Sequence, residues 1–138
     1  MADAELAAKQ QIEEVLVRYA SGIDRRDWPR FRSCFTSDVH ADYEGVAVWE
    51  NVDAITQYMT EVHEPMGHTM HRLSNMDVQM DGSTATARTY VDAILMAPDG
   101  ASGVRAVGLY DDELVLQADG WKIARRRFTP VHFEGVGA

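Results

Sequence analysis

Residues 67–100, GHTMHRLSNMDVQMDGSTATARTYVDAILMAPDG, decide the fold of this chain. The dipeptide Asp81-Gly82 separates two long segments, residues 67–80 and 83–97, that contain no proline. Asp-Gly between two such segments is typical of a tight β-hairpin turn. The stretch therefore predicts two long antiparallel strands that lie side by side.

The chain after this hairpin follows the same pattern. Residues 103–118 and 121–133 form two further long segments, and the turn signals around them are Pro98-Asp99-Gly100 and Asp119-Gly120. Each segment spans roughly 35–50 Å if it is straight, which exceeds the size of a small domain. The strands must therefore bend, and a bent sheet has a concave face. We expect the last residues, 134–138, to be a disordered tail.

The chain before the hairpin is mainly helical. Residues 3–23 carry apolar side chains at helical spacing, and Gly22 is expected to mark the end of this helix. Asp27 is placed to cap a short second helix. Asn51 is placed to cap a third helix, which stops at Pro65.

A short strand or hairpin, Val39 to Trp49, is expected between the second and third helices, with its turn at Glu44-Gly45. Together these elements predict one α+β domain over residues 1–138. About three helices pack on a strongly curved antiparallel sheet and enclose a small apolar pocket.

Composition limits the classes of function. The chain has 138 residues, a formal net charge of −9 and one cysteine, Cys34. The negative charge argues against a nucleic-acid partner, because a phosphate backbone would repel the domain. No apolar run is long enough to span a bilayer and no secretion signal is recognisable. A single cysteine cannot form an internal disulfide, which fits a cytoplasmic protein.

The ionisable residues that carry chemistry are few. Asp24 follows an apolar stretch at the end of the first helix, where a solvated loop carboxylate is the simpler interpretation. His68 and His71 are three residues apart on a predicted strand, so they face opposite ways and do not form a zinc-chelating pair. No metal site is therefore predicted. For His71, a catalytic role and a half-buried structural role stay equally open.

The remaining polar residues are interpreted as surface groups. The three arginines at 125–127 are expected on an exposed strand, with the outer two on one face and Arg126 on the other. His40, His63 and His132 are expected at the surface. No phosphate-binding loop, dinucleotide fingerprint or nucleophile elbow occurs.

Three segments resemble a known family: YASGIDRRDW at 19–28, HRLSN at 71–75 and DGWKI at 119–123. They resemble the SnoaL-like branch of the NTF2-like superfamily, near scytalone dehydratase, the bile acid 7α-dehydratases and a dehydrochlorinase of the same fold. The resemblance covers nearly the whole chain and implies a cone-shaped α+β fold. The superfamily includes dehydratases, isomerases, cyclases, epoxide hydrolases and non-catalytic members.

The resemblance also implies site residues. In dehydratase-like members an aspartate at the end of the first helix pairs with a histidine on the sheet, and Asp24 and His71 hold the matching positions. Tyr43 matches a pocket tyrosine of scytalone dehydratase, and Tyr19 matches one of the bile acid dehydratases.

Other positions depart from that pattern. Met96 and Tyr110 stand near where scytalone dehydratase has a pocket histidine and asparagine, and Ile23 replaces its first-helix tyrosine. Tyr19, Tyr43, Met96 and Tyr110 are therefore expected as substrate-binding residues for a different substrate. Arg88 and Asp92 imitate only part of the Asp-Arg-Asp set of the epoxide hydrolases.

The resulting hypothesis is a cofactor-free, dehydratase-like lyase that acts on a small apolar cyclic or polyketide- or steroid-like molecule through Asp24 and His71. Isomerisation or cyclisation with the same pair is the alternative, and so is a non-catalytic ligand-binding or assembly module. Apolar residues of both parities in the third long strand predict a homo-oligomer, either a dimer or a trimer, joined through the sheet. These residues are Val104, Val107, Leu109, Leu114 and Leu116.

Overall fold

The computed structural model describes residues 2–137, which form three helices and six strands. In chain order these are α1 (Ala2–Asp24), α2 (Trp28–Arg32), β1 (Phe35–Tyr43), β2 (Ala47–Trp49), α3 (Val52–His63), β3 (Thr69–Asp81), β4 (Thr84–Met96), β5 (Ser102–Gln117) and β6 (Gly120–Gly137).

The strands form one sheet in the order β2-β1-β6-β5-β4-β3. The four long strands, β3 to β6, pair antiparallel with their neighbours in sequence, which confirms the prediction made from the hairpin turns. One pair departs from the antiparallel pattern of the other strands, because β1 lies parallel to β6. This pair joins strands from opposite ends of the chain, so no local turn signal announces it. The sheet is therefore a curved mixed sheet.

The helices cover the concave face of the sheet. α1 buries one stripe of its surface against β3, β6 and α2, and this stripe consists of Ile12, Val15, Leu16, Tyr19 and Ile23. Both predicted caps are confirmed. The Asp27 side chain accepts a hydrogen bond from the backbone N–H of Arg30, and the Asn51 side chain accepts one from Ala54.

Gly22 does not end α1, contrary to the prediction, because the helix continues to Asp24. Its role is close packing. A Cβ atom at this position would lie 2.8 Å from the backbone nitrogen of Phe31, at the point where α2 crosses α1. The residue in the left-handed conformation after the helix is Arg26, with φ of 57°.

Two of the β-bulges in the sheet change which side chains point into the cone. In β3, the pairing shifts between Ser74 and Asp77. The odd-numbered side chains point inward before this shift, and the even-numbered ones point inward after it. In β6, Arg125 pairs with Glu113 and Ile123 pairs with Leu114, which leaves Ala124 between them unpaired. The bulge at Ala124 therefore turns the side chain of the arginine at 126 inward, to the same side as Ile123.

The expected disordered tail is also wrong for residues 134–137. These residues belong to β6 and pair with the start of β5, from Ser102 to Arg105. Their backbone groups complete a ladder that the composition of the segment does not reveal. Residue 138 lies outside the described residues. Within residues 2–137, no helix has the length and apolar character needed to cross a membrane.

Candidate active site

A cavity of about 130 Å³ lies between α1, α3 and the concave face of the sheet. Val46 and Phe133 line it and are also exposed, so they mark its mouth. The polar side chains in its wall are few: Tyr19, Tyr43, Tyr110, His63 and His71. The rest of the lining is apolar and consists of Ile23, Met59, Val91, Ala93, Leu95, Ala106 and Phe128, in addition to the two residues at the mouth.

Asp24 and His71 are in contact at one end of this cavity. The last residue of α1 supplies the aspartate and the third residue of β3 supplies the histidine. The Nδ1 atom of His71 lies 2.8 Å from Oδ1 of Asp24, and the backbone N–H of His71 donates to Oδ2 at 2.8 Å. The hydrogen-bond contact expected from the sequence is therefore present. A carboxylate only accepts, so Nδ1 carries the proton and Nε2 has the free lone pair.

Asp24 is held in its charged form. Burial raises the pKa of this carboxyl, but the side-chain and backbone hydrogen bonds from His71, the electrostatic interaction with that ring and a further hydrogen bond from Thr69 outweigh burial, and the net pKa is lowered. The Thr69 hydroxyl lies 2.9 Å from Oδ1 of Asp24.

Three tyrosine hydroxyls meet in the wall of the cavity. Tyr19 Oη lies 3.0 Å from Tyr43 Oη and 3.0 Å from Tyr110 Oη. Burial is the main cause that raises the pKa of Tyr19 and of Tyr110, so both phenols keep their protons. Three hydroxyl protons serve two mutual hydrogen bonds, so one proton is not used within the cluster.

A buried ion pair that no pattern in the sequence indicated lies behind the tyrosines. The guanidinium of Arg126 donates to both carboxylate oxygens of Asp112, at 2.7 and 2.9 Å, and both side chains are fully buried. The central carbon of the guanidinium lies over the rings of both Tyr19 and Tyr110, 4.2 and 3.8 Å from their centroids, and its Nη1 lies 3.4 Å from Tyr43 Oη. Burial lowers the pKa of Arg126, but the Asp112 charge more than offsets this, so the net pKa is raised.

The expectation that the arginines at 125–127 lie on an exposed strand is therefore wrong for the middle one. Arg125 and Arg127 do lie on the outer face, where they pair with Glu113 and Asp42. The bulge at Ala124 explains why Arg126 reaches the core.

The prediction that His63 lies at the surface is also wrong. This residue ends α3, is only 4% exposed and lines the cavity next to His71, with the two ring centroids 5.9 Å apart. Its Nδ1 donates to the backbone carbonyl of Met59 at 2.8 Å, and its Nε2 has no hydrogen-bond partner among residues 2–137. Burial lowers the pKa of His63 to about 4. The signal in the sequence was its place one helical turn after Met59, on the apolar stripe of α3.

The structure separates the other candidates from the cavity. Met96 ends β4 and lines a groove on the far side of Asp24, rather than the cavity. Arg88 pairs with Asp111, and Asp92 pairs with Arg105. Both of these ion pairs involve exposed or half-exposed side chains, so Arg88 and Asp92 do not form part of an Asp-Arg-Asp set in the cavity. Among the described residues, no group of three or more His, Cys, Asp or Glu side chains is arranged to hold a metal ion.

The chain belongs to the SnoaL-like domain family, whose pattern matches residues 4–127. This confirms the family suggested by the sequence segments, and the cone of three helices on a curved six-stranded sheet is the NTF2-like fold. The family is defined by fold and sequence, and it does not by itself fix an activity.

Three relatives illustrate the similarity. Uncharacterized protein Rv2910c of Mycobacterium tuberculosis is 32% identical over 125 residues, which are 89% of this chain and 85% of the relative. A scytalone dehydratase-like protein from Novosphingobium aromaticivorans superposes with a TM-score of 0.90 at 21% identity, over 97% of this chain and 91% of that one. The hexachlorocyclohexane dehydrochlorinase LinA-type3 of Novosphingobium barchaimii superposes with a TM-score of 0.86 at 15% identity, over 99% and 94%. At these identities the two structures share the fold of this chain.

Proposed function

We propose that this protein is a cofactor-free, dehydratase-like lyase in which His71 is the base and Asp24 orients it. The observation that carries the proposal is the hydrogen bond of 2.8 Å between His71 Nδ1 and Asp24 Oδ1 at the wall of an apolar cavity. That bond fixes the imidazole tautomer and leaves Nε2 as the proton acceptor. The solved structures that resemble this chain include a dehydrochlorinase and a scytalone dehydratase-like protein, which fits the same class of elimination.

The reaction is an elimination next to a carbonyl group. His71 Nε2 takes the proton from the carbon beside the carbonyl, and the electrons of the broken C–H bond form an enolate. The enolate collapses to a C=C bond as the C–O bond to the neighbouring hydroxyl breaks. The imidazolium returns its proton to the departing hydroxide, which leaves as water. Asp24 stabilises the imidazolium while the proton is on His71.

The tyrosine cluster, defined by Tyr19, Tyr43 and Tyr110, supplies a hydrogen bond to the enolate oxygen. Its spare hydroxyl proton is the donor, and the positive charge of Arg126 behind the rings strengthens that donor. The apolar surroundings strengthen the interaction further, because little water competes inside the cavity.

The size of the cavity favours a substrate with one ring inside it. A cavity of about 130 Å³ is close to the roughly 150 Å³ that suffices for benzene in an engineered protein core. An uncharged monocyclic ketone with a hydroxyl group on the second carbon from the carbonyl therefore fits the site. A polyketide- or steroid-like molecule would place one ring inside and extend past Val46 and Phe133 at the mouth.

The test separates proton abstraction from loss of water. Purified protein is incubated in D₂O with cyclic β-hydroxy ketones, and NMR follows deuterium uptake beside the carbonyl while ultraviolet absorbance follows the conjugated product. His71→Ala should abolish both signals, and Asp24→Asn should lower both by on the order of 10²-fold or more. His132→Ala is the matched control, because it removes an exposed histidine paired with a carboxylate, Glu134.

Each outcome of this experiment assigns the protein to one functional class. Deuterium uptake with loss of water supports the lyase, and uptake without loss of water supports an isomerase or cyclase that uses the same pair. Ligand binding with neither signal in the wild-type protein would contradict catalysis and leave a non-catalytic binding module.

We also propose that the chain forms a homo-oligomer through the outer face of its sheet. Exposed apolar side chains on the outward-facing positions support this, including Met70 on β3 and Tyr90 on β4. A monomer would leave these side chains in water.

A further inference from the structure

We propose that Arg26 and Thr69 are positioning residues that hold the Asp24 carboxylate in the orientation His71 needs. This inference rests on the proposed function, because it concerns the same pair. Neither residue lines the cavity, and both act through Asp24. The observation behind it is a continuous chain of hydrogen bonds that runs from Arg26 through Thr69 and Asp24 to His71.

The chemistry of the donors fixes the direction of every bond in this chain. Arg26 Nη1 lies 2.8 Å from Thr69 Oγ1, and a guanidinium only donates. The threonine hydroxyl therefore accepts from Arg26 and has its own proton free for Asp24 Oδ1, at 2.9 Å. Oδ1 is also the oxygen that accepts from His71 Nδ1. A hydroxyl that rotated freely would not hold this orientation, and the arginine prevents the rotation.

Arg26 occupies a strained backbone position that suits glycine better. The backbone N–H of Asp27 donates to Gly22 O, and that of Arg26 donates to Ile23 O, which is the Schellman pattern at the end of a helix. The residue at Arg26 is left-handed in this pattern, with φ of 57°, where glycine is usual. Strain of this kind persists where the side chain is needed.

The side chain of Arg26 joins the three elements that meet at Asp24. Its Nε donates to the carbonyl of His63 at the end of α3, at 3.1 Å. Its Nη2 donates to the carbonyl of Gly67 just before β3, at 2.8 Å, and its Nη1 also donates to Ile23 O on α1, at 3.0 Å. Arg26 therefore sets the spacing between the helix that carries Asp24 and the strand that carries His71.

The test uses a spectroscopic signal of His71 that needs no substrate. In the wild-type protein, ¹H–¹⁵N NMR of the imidazole should show a slowly exchanging Nδ1 proton and one dominant tautomer. Thr69→Val keeps the shape and removes the hydroxyl, so the exchange of this proton should accelerate about tenfold, which corresponds to one ordinary hydrogen bond. Thr69→Ser keeps the hydroxyl and should restore the wild-type signal.

Matched controls separate positioning from general destabilisation. Thr89 is a fully buried threonine of β4 whose hydroxyl has no partner in the part of the chain that the structure describes, so Thr89→Val should leave the His71 signal unchanged. Arg26→Gly relieves the backbone and removes the guanidinium, and it should accelerate exchange in the same direction as Thr69→Val. Asn75→Gly relieves another left-handed residue, with φ of 53°, and should have no effect on this signal.

The outcome is decisive in either direction. If Thr69→Val and Arg26→Gly leave the exchange of the His71 proton as in the wild type, or if Thr89→Val changes it equally, the inference is wrong. If the two variants change it as expected while the wild-type protein eliminates no water and exchanges no substrate proton, the positioning role stands and the proposed lyase function fails.

Discussion

Removing the charge of Asp112 should destabilise the fold strongly. Asp112 and Arg126 have side chains that are 0% exposed, and they share two hydrogen bonds of 2.7 and 2.9 Å. Asp112→Asn keeps one acceptor, places an amide N–H₂ against Arg126 and leaves the guanidinium without a counter-charge. Breaking a buried pair on one side costs about 3–5 kcal/mol. At roughly 3 °C per kcal/mol, the melting temperature should fall by about 10–15 °C.

The neighbouring residue offers a matched control for this substitution. Asp111 also binds an arginine with both oxygens, Arg88 at 2.8 and 3.1 Å, but on the exposed face. Asp111→Asn should therefore change the denaturation curve very little. Arg126→Met combined with Asp112→Leu should recover most of the stability that Asp112→Asn loses, because an apolar pair replaces the buried charges. Urea denaturation followed by circular dichroism measures all four proteins. A loss for Asp112→Asn no larger than that for Asp111→Asn would refute the reasoning.

Two further predictions concern acid stability and assembly. Burial lowers the pKa of His63 from 6.5 to about 4, so the folded protein takes up a proton at this residue less readily than the unfolded chain does. The free energy of unfolding should therefore be highest above about pH 6.5 and should decrease as the pH falls to 4. This decrease should reach about 3 kcal/mol in the wild-type protein. The exposed control His132→Gln should show the same decrease. If the free energy of unfolding of His63→Gln depends on pH as it does in the wild type, the prediction is wrong. For assembly, light scattering at micromolar concentration should give the mass of a dimer or trimer. Tyr90→Glu should shift it toward the monomer, and a monomer mass for the wild type would contradict the proposal.

The contact between Asp24 and His71 was expected from the resemblance to the family, and local features are consistent with it. Asp24 ends an amphipathic helix, and His71 shares its parity with Leu73 near the start of β3. His71 precedes the bulge at Asn75, so the simple alternation of inward and outward side chains along β3 still holds at its position. The helix caps at Asp27 and Asn51 were predictable from local features, because each depends on residues within one turn.

The groups that the sequence did not reveal depend on long-range pairing. Arg126 is charged, and only the bulge at Ala124 and a partner on β5 make its burial tolerable. His63 is buried because Trp28 from another helix packs against its ring, and a single helical pattern does not show that contact. The parallel pairing of β1 with β6 is likewise set by the closure of the cone rather than by any turn.

The central position of β6 has a consequence for how the protein folds. This last strand along the chain pairs with β5 on one edge and with β1 on the other, where Tyr43 lies opposite Phe128. During synthesis, β1 and its hairpin partner β2 have no neighbour until β6 has emerged. Contacts between such distant segments close large loops, which slows folding. The nascent chain therefore exposes an open edge of sheet until its last strand arrives, and a chain cut before residue 120 would lose the seam that joins the two halves of its sheet.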